Sequence, residues 1–320
     1  MATIHMLILD AAQIVSRVSM PRMIEAMRTG FASGSLAPKR QVLSLPGGDG
    51  RRQLLMMPAF ELDGSGIVKL STIVPDNPAR ALPHVQGVLV VFSEHGEPLA
   101  ILDGAAVTRL RTAAASACAS SYLSREDSVH LLIVGSGALA PYMAQAHCAM
   151  RPIRRVSVWG RHAGRIATAV DAIRGLLGSE VEVVAASELE PAVASADIVC
   201  CATSSSSPVL SGVWLRPGAL VDLVGNFSPT GSEIDDEVLH RSRVYVDTLE
   251  GALAEAGDLL GPISRGVITR EAIVGELSDL VCSRIQGRRS ANEITLFKSV
   301  GAALEDLAAA KLIIATVTEH

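Results

Sequence analysis

"SVHLLIVGSGALAPYMAQAHCAM", residues 128–150, decides the fold. Its segment "LLIV" (131–134) is a short run of branched aliphatics that reads as a buried strand. "GSGALA" (135–140) follows at once and opens the helical stretch "ALAPYMAQAHCAM". Strand, glycine turn and helix together form the opening of a dinucleotide-binding βαβ unit, a stronger signal than the glycine spacing alone. Gly135 allows the tight turn, and Gly137 lets the backbone approach a pyrophosphate. Ala140 stands where a small residue lets helix and strand pack closely. The first turn of that helix offers unpaired N–H groups and a partial positive charge to a phosphate.

Toward the C-terminus, strand-like runs alternate with helical ones: "RRVSVWG" (154–160), "VEVVA" (181–185), "DIVCCAT" (197–203), "ALVDLVG" (219–225) and "RVYVDT" (243–248). This alternation predicts an α/β class fold, with a Rossmann-type doubly wound parallel sheet over residues 121–299. The segment "ITLFKSVGAALEDLAAAKLIIATV" (294–317) reads as one long helix, its part from about 300 to 320 returning to the N-terminal domain. An acid at the end of the second strand is the usual holder of an NAD ribose. Here "VSVWGRHAGR" carries Arg161 and Arg165 instead. A guanidinium suits a 2′-phosphate, so the sequence predicts NADP, with NAD still possible.

Toward the N-terminus, residues 1–120 read as an α+β domain. Met23, Ile24, Met27 and Phe31 share one face of a helix over 18–32. Strands follow at "RQLLMMPAF", "GIVKLSTIV", "GVLVVFS" and "EPLAILDG", separated by the turn signals "GGDG" (47–50), "DGSG" (63–66) and "EHGE" (94–97). An alanine-rich helix is expected over 107–123.

Composition narrows the function classes. The chain has 320 residues, 49% apolar and 19% charged, a globular balance. A net charge of −5 and the lack of a basic run with aromatics argue against a nucleic-acid surface. No apolar stretch has the length of a membrane span, and the N-terminal stretch lacks a cationic leader region and carries Asp10. The five cysteines have no metal spacing, no metal site is expected, and a reducing cytoplasm is the expected compartment.

Within the first domain one residue resists a bland reading. Lys69 interrupts the apolar strand "GIVKLSTIV", where an unpaired ammonium is costly to bury. Arg40, in "APKRQVLSLP", and Arg111, in "VTRLRTAAASA", are the other basic candidates. If the three converge, their natural guest is a carboxylate.

These segments carry a family resemblance. The order "PKR" (38–40), "GIVKLSTIVPDNP" (66–78), "LPHVQG" (82–87), "VTRLRTAAASA" (107–117), "GSGALA", "EIDDEVL" (233–239) and "TLFKSVGAALEDLAAAK" (295–311) resembles the ornithine cyclodeaminase/mu-crystallin family over nearly the whole chain. The resemblance implies a homodimer whose subunits each hold an NAD(P) domain and a substrate domain that also forms the dimer interface. It implies an amino or imino acid substrate. Arg40 and Arg111 map to the carboxylate-binding arginines and Lys69 to the active-site lysine. His84 falls at a substrate position usually held by Thr or Ser. Cofactor contacts are expected at Thr112, Gly135, Gly137, Ala138, Leu139, Arg161, Ala202, Thr203, Gly225 and, near the nicotinamide, Ser299.

One departure from the family pattern bears on the reaction. Cyclodeaminases resemble "GGDCPGKTE" where this chain reads "GNFSPTGSE" (225–233), so Phe227 replaces an aspartate. A phenyl ring cannot accept a proton or hold an ammonium as a carboxylate does. The resemblance therefore implies an NAD(P)H-dependent reductase of a cyclic imine carboxylate, Δ1-pyrroline-2-carboxylate or Δ1-piperideine-2-carboxylate. The alternatives are ornithine cyclodeaminase, another amino-acid dehydrogenase, and a crystallin-type binding protein.

Overall fold

A computed structural model of the chain describes residues 6–46 and 51–318; the turn expected at 47–50 lies outside them. The fold divides into two units. One runs to Arg111 and resumes at Ala302, and the other spans Thr112 to Gly301. The division falls between Arg111 and Thr112, within the helix Gly104–Leu123 and ahead of the boundary expected at residue 120.

The first unit is built on a six-stranded sheet of β1 (Leu7–Leu9), β2 (Gln41–Ser44), β3 (Gln53–Phe60), β4 (Gly66–Ile73), β5 (Val85–Phe92) and β6 (Pro98–Asp103). Their order is β1-β6-β5-β4-β3-β2, antiparallel throughout except for the parallel β1–β6 pair. Period-two alternation gives the sheet two characters. On one face lie Met57, Ala59, Ile67, Leu89, Ala100 and Leu102, all buried. Each large aliphatic among them contributes about 1.5–3 kcal/mol by leaving water. The C-terminal helix Ala303–Thr318 contacts β3 and β4 as well as the helix Met20–Ala32. Small residues set that spacing: a Cβ added at Gly30 would lie 2.7 Å from the Ala308 Cβ.

On the opposite face the register aligns aliphatics in rows, Met56–Leu70–Val88 and Pro58–Val68–Val90–Ile101–Ile8. None of these is buried, and Ile8 is 65% exposed.

The second unit contains β7 (His130–Val134), β8 (Arg155–Trp159), β9 (Glu182–Ala185), β10 (Ile198–Cys201), β11 (Leu220–Leu223), β12 (Ser242–Val246), β13 (Ile273–Glu276) and β14 (Ile294–Lys298). All eight pair in parallel, in the order β13-β12-β14-β11-β10-β7-β8-β9. The central strands β10, β11 and β14 are buried at every residue, as parallel strands covered on both faces must be. From β7 the chain builds outward through β8 to β9, then returns to lay β10 on the other side of β7. That reversal is the switch point at which open parallel sheets bind ligands, beyond the strand carboxyl ends.

A buried carboxylate braces this unit. Asp222 on β11 accepts from Ser116 Oγ at 3.0 Å and pairs with His147 Nε2 at 3.0 Å, joining two helices to the sheet. Cys200 and Cys201 are buried on β10, and burial pushes both thiols up.

One expectation is corrected. "ITLFK" does not begin a long helix; it forms β14, inserted between β11 and β12, and the helix starts at Ala303. Five apolar-flanked residues do not distinguish a buried strand from a buried helix by periodicity. Gly301, at φ +82°, lies between the two elements in a backbone conformation that favours glycine. Among the described residues no helix is long and apolar enough to cross a membrane.

Candidate active site

The cationic cluster of the first unit begins on β4. Lys69 points to the buried face, in the row Met57–Lys69–Leu89–Leu102–Leu9 that crosses the sheet. It is 3% exposed. Its partner comes from the C-terminal helix: Asp306 Oδ2 lies 2.6 Å from Nζ, an ion pair made by a carboxylate that is itself fully buried. Arg111 engages the same helix, with Nε 3.1 Å from Asp306 Oδ1 and Nη1 2.6 Å from Glu305 Oε2. Glu305 is anchored in turn, its Oε1 accepting from Ala302 N at 3.1 Å.

One carboxylate therefore serves two cations. Burial lowers the Lys69 ammonium to about 8, with Asp306 resisting and the Arg111 and Arg40 guanidinium groups adding to the fall. Burial also works against the Arg111 charge, but the Glu305 and Asp306 carboxylates more than offset it and raise its pKa. Arg40 is half-buried just ahead of β2. Lys69 and Arg111 thus meet on Asp306, and the Arg40 guanidinium adds its charge to the field at Lys69. His84 is exposed at the bend before β5 and joins them through no hydrogen bond or ion pair among the described residues.

Glu305 and Asp306 were absent from the sequence-derived site. Their signal was available: two acids inside the otherwise apolar helix segment "AALEDLAAA" (302–310) must find buried partners or be exposed.

In the second unit, the loops after β7, β10 and β11 meet backbone to backbone. Gly135 has φ +128°, and a Cβ there would lie 2.5 Å from the Ala202 carbonyl oxygen. A Cβ at Gly225 would lie 2.1 Å from both the N and the O of Thr203. At Gly137 no atom comes within 4 Å of an added Cβ, so the loop faces open space. The helix Ala140–Met150 starts after Ala138 and Leu139, and Leu139 at its N-cap gives no side-chain hydrogen bond. Its first N–H groups are those a phosphate would meet.

Arg161 is exposed beyond the end of β8. Thr112 is buried in the helix Gly104–Leu123. Ser299 is buried and donates to Asp247 Oδ2 at 3.0 Å, the oxygen that also accepts from Val300 N and Gly301 N. Phe227 is 40% exposed in the loop after β11.

Comparisons with known proteins find relatives over nearly the whole chain. A family model described as the ornithine cyclodeaminase/mu-crystallin family matches residues 5–320. A Δ1-pyrroline-2-carboxylate reductase of Paracoccus denitrificans is 40% identical over 308 residues, covering 95% of each chain. One of Colwellia psychrerythraea is 37% identical over 313 residues, covering 97% of this chain and 98% of that one. Among solved structures, the Thermococcus litoralis Δ1-pyrroline-2-carboxylate reductase in complex with NADH and L-proline superposes with a TM-score of 0.93 at 32% identity, covering 98% of both chains. The chain belongs to the ornithine cyclodeaminase/mu-crystallin family.

Proposed function

We propose that this protein is a nicotinamide-dependent oxidoreductase that reduces the C=N bond of Δ1-pyrroline-2-carboxylate, forming L-proline. The observation that carries the reading is the shared carboxylate of the first unit. Lys69 has only part of Asp306 and feels the repulsion of two guanidinium groups. A substrate carboxylate meets Arg111 and Arg40 through charge-assisted hydrogen bonds, beside a Lys69 ammonium that shares Asp306 with Arg111. The names of the 37–40% identical relatives select the substrate from the imine carboxylates the site chemistry allows.

The loops of the second unit fit a dinucleotide. Gly135 and Gly225 leave no space for side chains, and Gly137 leaves the loop approachable. Ala138, Leu139, Ala202 and Thr203 complete the cradle, with Thr112 and Ser299 as further contacts. When bound, the dinucleotide supplies the hydride for the imine carbon. This chain's residues hold the carboxylate, orient the ring and provide the proton. Lys69 carries a proton at neutral pH and can pass it to the ring nitrogen, directly or through one water. Arg161 gives the 2′-phosphate of NADP a partner, and NAD remains usable without it.

Absence of an acid at Phe227 supports a substrate that already contains its C=N bond over the deamination of ornithine. The aliphatic rows on the open face of the six-stranded sheet support a homodimer in which a second copy covers them. His84 is proposed to line the substrate side.

The test is a substrate panel with both cofactors. Consumption of one NADH or NADPH per Δ1-pyrroline-2-carboxylate is the expected result. Ammonia released from ornithine without net change in cofactor would overturn the reading, and cofactor binding without turnover on any imine would place the protein among binding members of the family.

A further inference from the structure

The loops assigned to the dinucleotide are tied together by a carboxylate that the reaction does not use. Glu233 is fully buried. Its Oε1 accepts from Thr203 N at 2.8 Å and from Thr203 Oγ1 at 2.7 Å. Its Oε2 accepts from Gly225 N and Asn226 N, both at 3.1 Å. One side chain thus clasps the loop after β10 to the loop after β11, at the place where Gly225 brings their backbones together.

The clasp is itself held from behind. Asp258 Oδ1 accepts from Glu233 N at 2.6 Å, and Asp258 Oδ2 pairs with Lys298 Nζ at 2.7 Å. Lys298 also donates to the Asn226 carbonyl at 2.6 Å, returning to the same loop. A hydrophobic side chain of similar size would satisfy the packing but leave the Thr203 and Asn226 N–H groups and the Thr203 hydroxyl without acceptors, while Gly225 N would keep only the Cys201 carbonyl. Four acceptor contacts converging on two loops, with no exposed surface of its own, suit a group that acts through its neighbours.

We propose that Glu233 is a positioning residue of the dinucleotide site, fixing the backbone at Thr203, Gly225 and Asn226 so that the three carboxyl-end loops present one preformed cradle. The proposal rests on the reading of these loops as the dinucleotide site. Preformation matters because ordering loops at the moment of binding costs affinity.

Glu233→Gln keeps the shape and presents one oxygen and one NH₂ group, so one of the two loops loses its acceptor and meets a donor. The dissociation constants of NADH and NADPH are measured by fluorescence titration of wild type and variant, alongside KM for cofactor and for imine, kcat and Tm. Expected are a rise of about tenfold in the cofactor dissociation constant and KM, and a change of less than about twofold in the imine KM. A lowered Tm with unchanged cofactor affinity would show a structural brace only and overturn the proposal. Should the variant fail to fold, amide hydrogen exchange on the wild type decides. Saturating NADH is expected to slow exchange at Thr203, Gly225 and Asn226 together, and unchanged exchange at all three would overturn the clasp. Wild-type titration separates the two claims: a wild type that binds neither cofactor sinks the functional reading, whereas wild-type binding with an unaffected Glu233→Gln sinks the clasp alone.

Discussion

Two lysines lie buried in strands of this protein, and they are buried for different ends. Lys298 on β14 has Asp258 at 2.7 Å and the Asn226 carbonyl at 2.6 Å, with Glu233 also close. Carboxylates outnumber the lysine, and burial pushes the Glu233 carboxyl up to about 7 although Lys298 pulls it down. Lys69 on β4 stands differently: it shares Asp306 with Arg111, which also holds Glu305, and burial with like charge lowers its pKa to about 8. A buried cation with surplus acids is finished within the fold and serves to fix backbone. A buried cation with a shared acid is left able to bind an anion and to give up a proton near neutral pH.

The largest effect that sharpens this contrast is on turnover. Lys69→Met should lower kcat on the order of 10³-fold, the span of general acid catalysis, while Arg111 still neutralises Asp306 and the fold persists. Circular dichroism beside steady-state kinetics checks both halves, and near-normal turnover would remove Lys69 from the chemistry. Lys298→Met should do the opposite. It leaves Asp258 buried and unpaired, and urea unfolding should show a loss of about 3–5 kcal/mol. A mutant as stable as wild type would break the comparison at its second term.

The pH dependence of stability gives a finer test. The ordinary lysine value is 10.5 and the folded value of Lys69 is about 8. Between those values the unfolded chain binds the extra proton, so the contribution of Lys69 to stability rises as pH rises through that window. The rise amounts to about 3 kcal/mol if the shift is full. It should be present in wild type and missing from the difference curve of Lys69→Met. The smallest effect is at the exposed Arg161: Arg161→Ala should raise KM for NADPH about tenfold and leave NADH unchanged, since only the former carries the 2′-phosphate. Equal response to both cofactors would mean that Arg161 does not read the phosphate.

The sequence made the second unit more legible than the first site. "LLIVGSGALA" states strand, turn and helix locally, because glycines at tight turns and small residues at close contacts leave a linear record. Lys69 was legible as an anomaly within an apolar strand. Its partner was not, since Asp306 stands more than two hundred residues away and meets it only through the packing of the C-terminal helix. β14 was misread for a related reason: a short buried apolar run has no periodicity to betray its state, and only its place between β11 and β12 settles it. Glu233 was visible only as the end of a family motif. Its role depends on four donors contributed by two loops, which no spacing rule collects.

Whether the crowded cations of the first unit await a carboxylate is tested most directly by removing that group from the substrate. The ratio of kcat/KM for Δ1-pyrroline-2-carboxylate to that for Δ1-pyrroline, measured at pH 7 with the same cofactor, should be about 10³ or more, the worth of two charge-assisted hydrogen bonds. A ratio near one would contradict the account, for it would mean that Arg40, Lys69 and Arg111 hold no anion during the reaction.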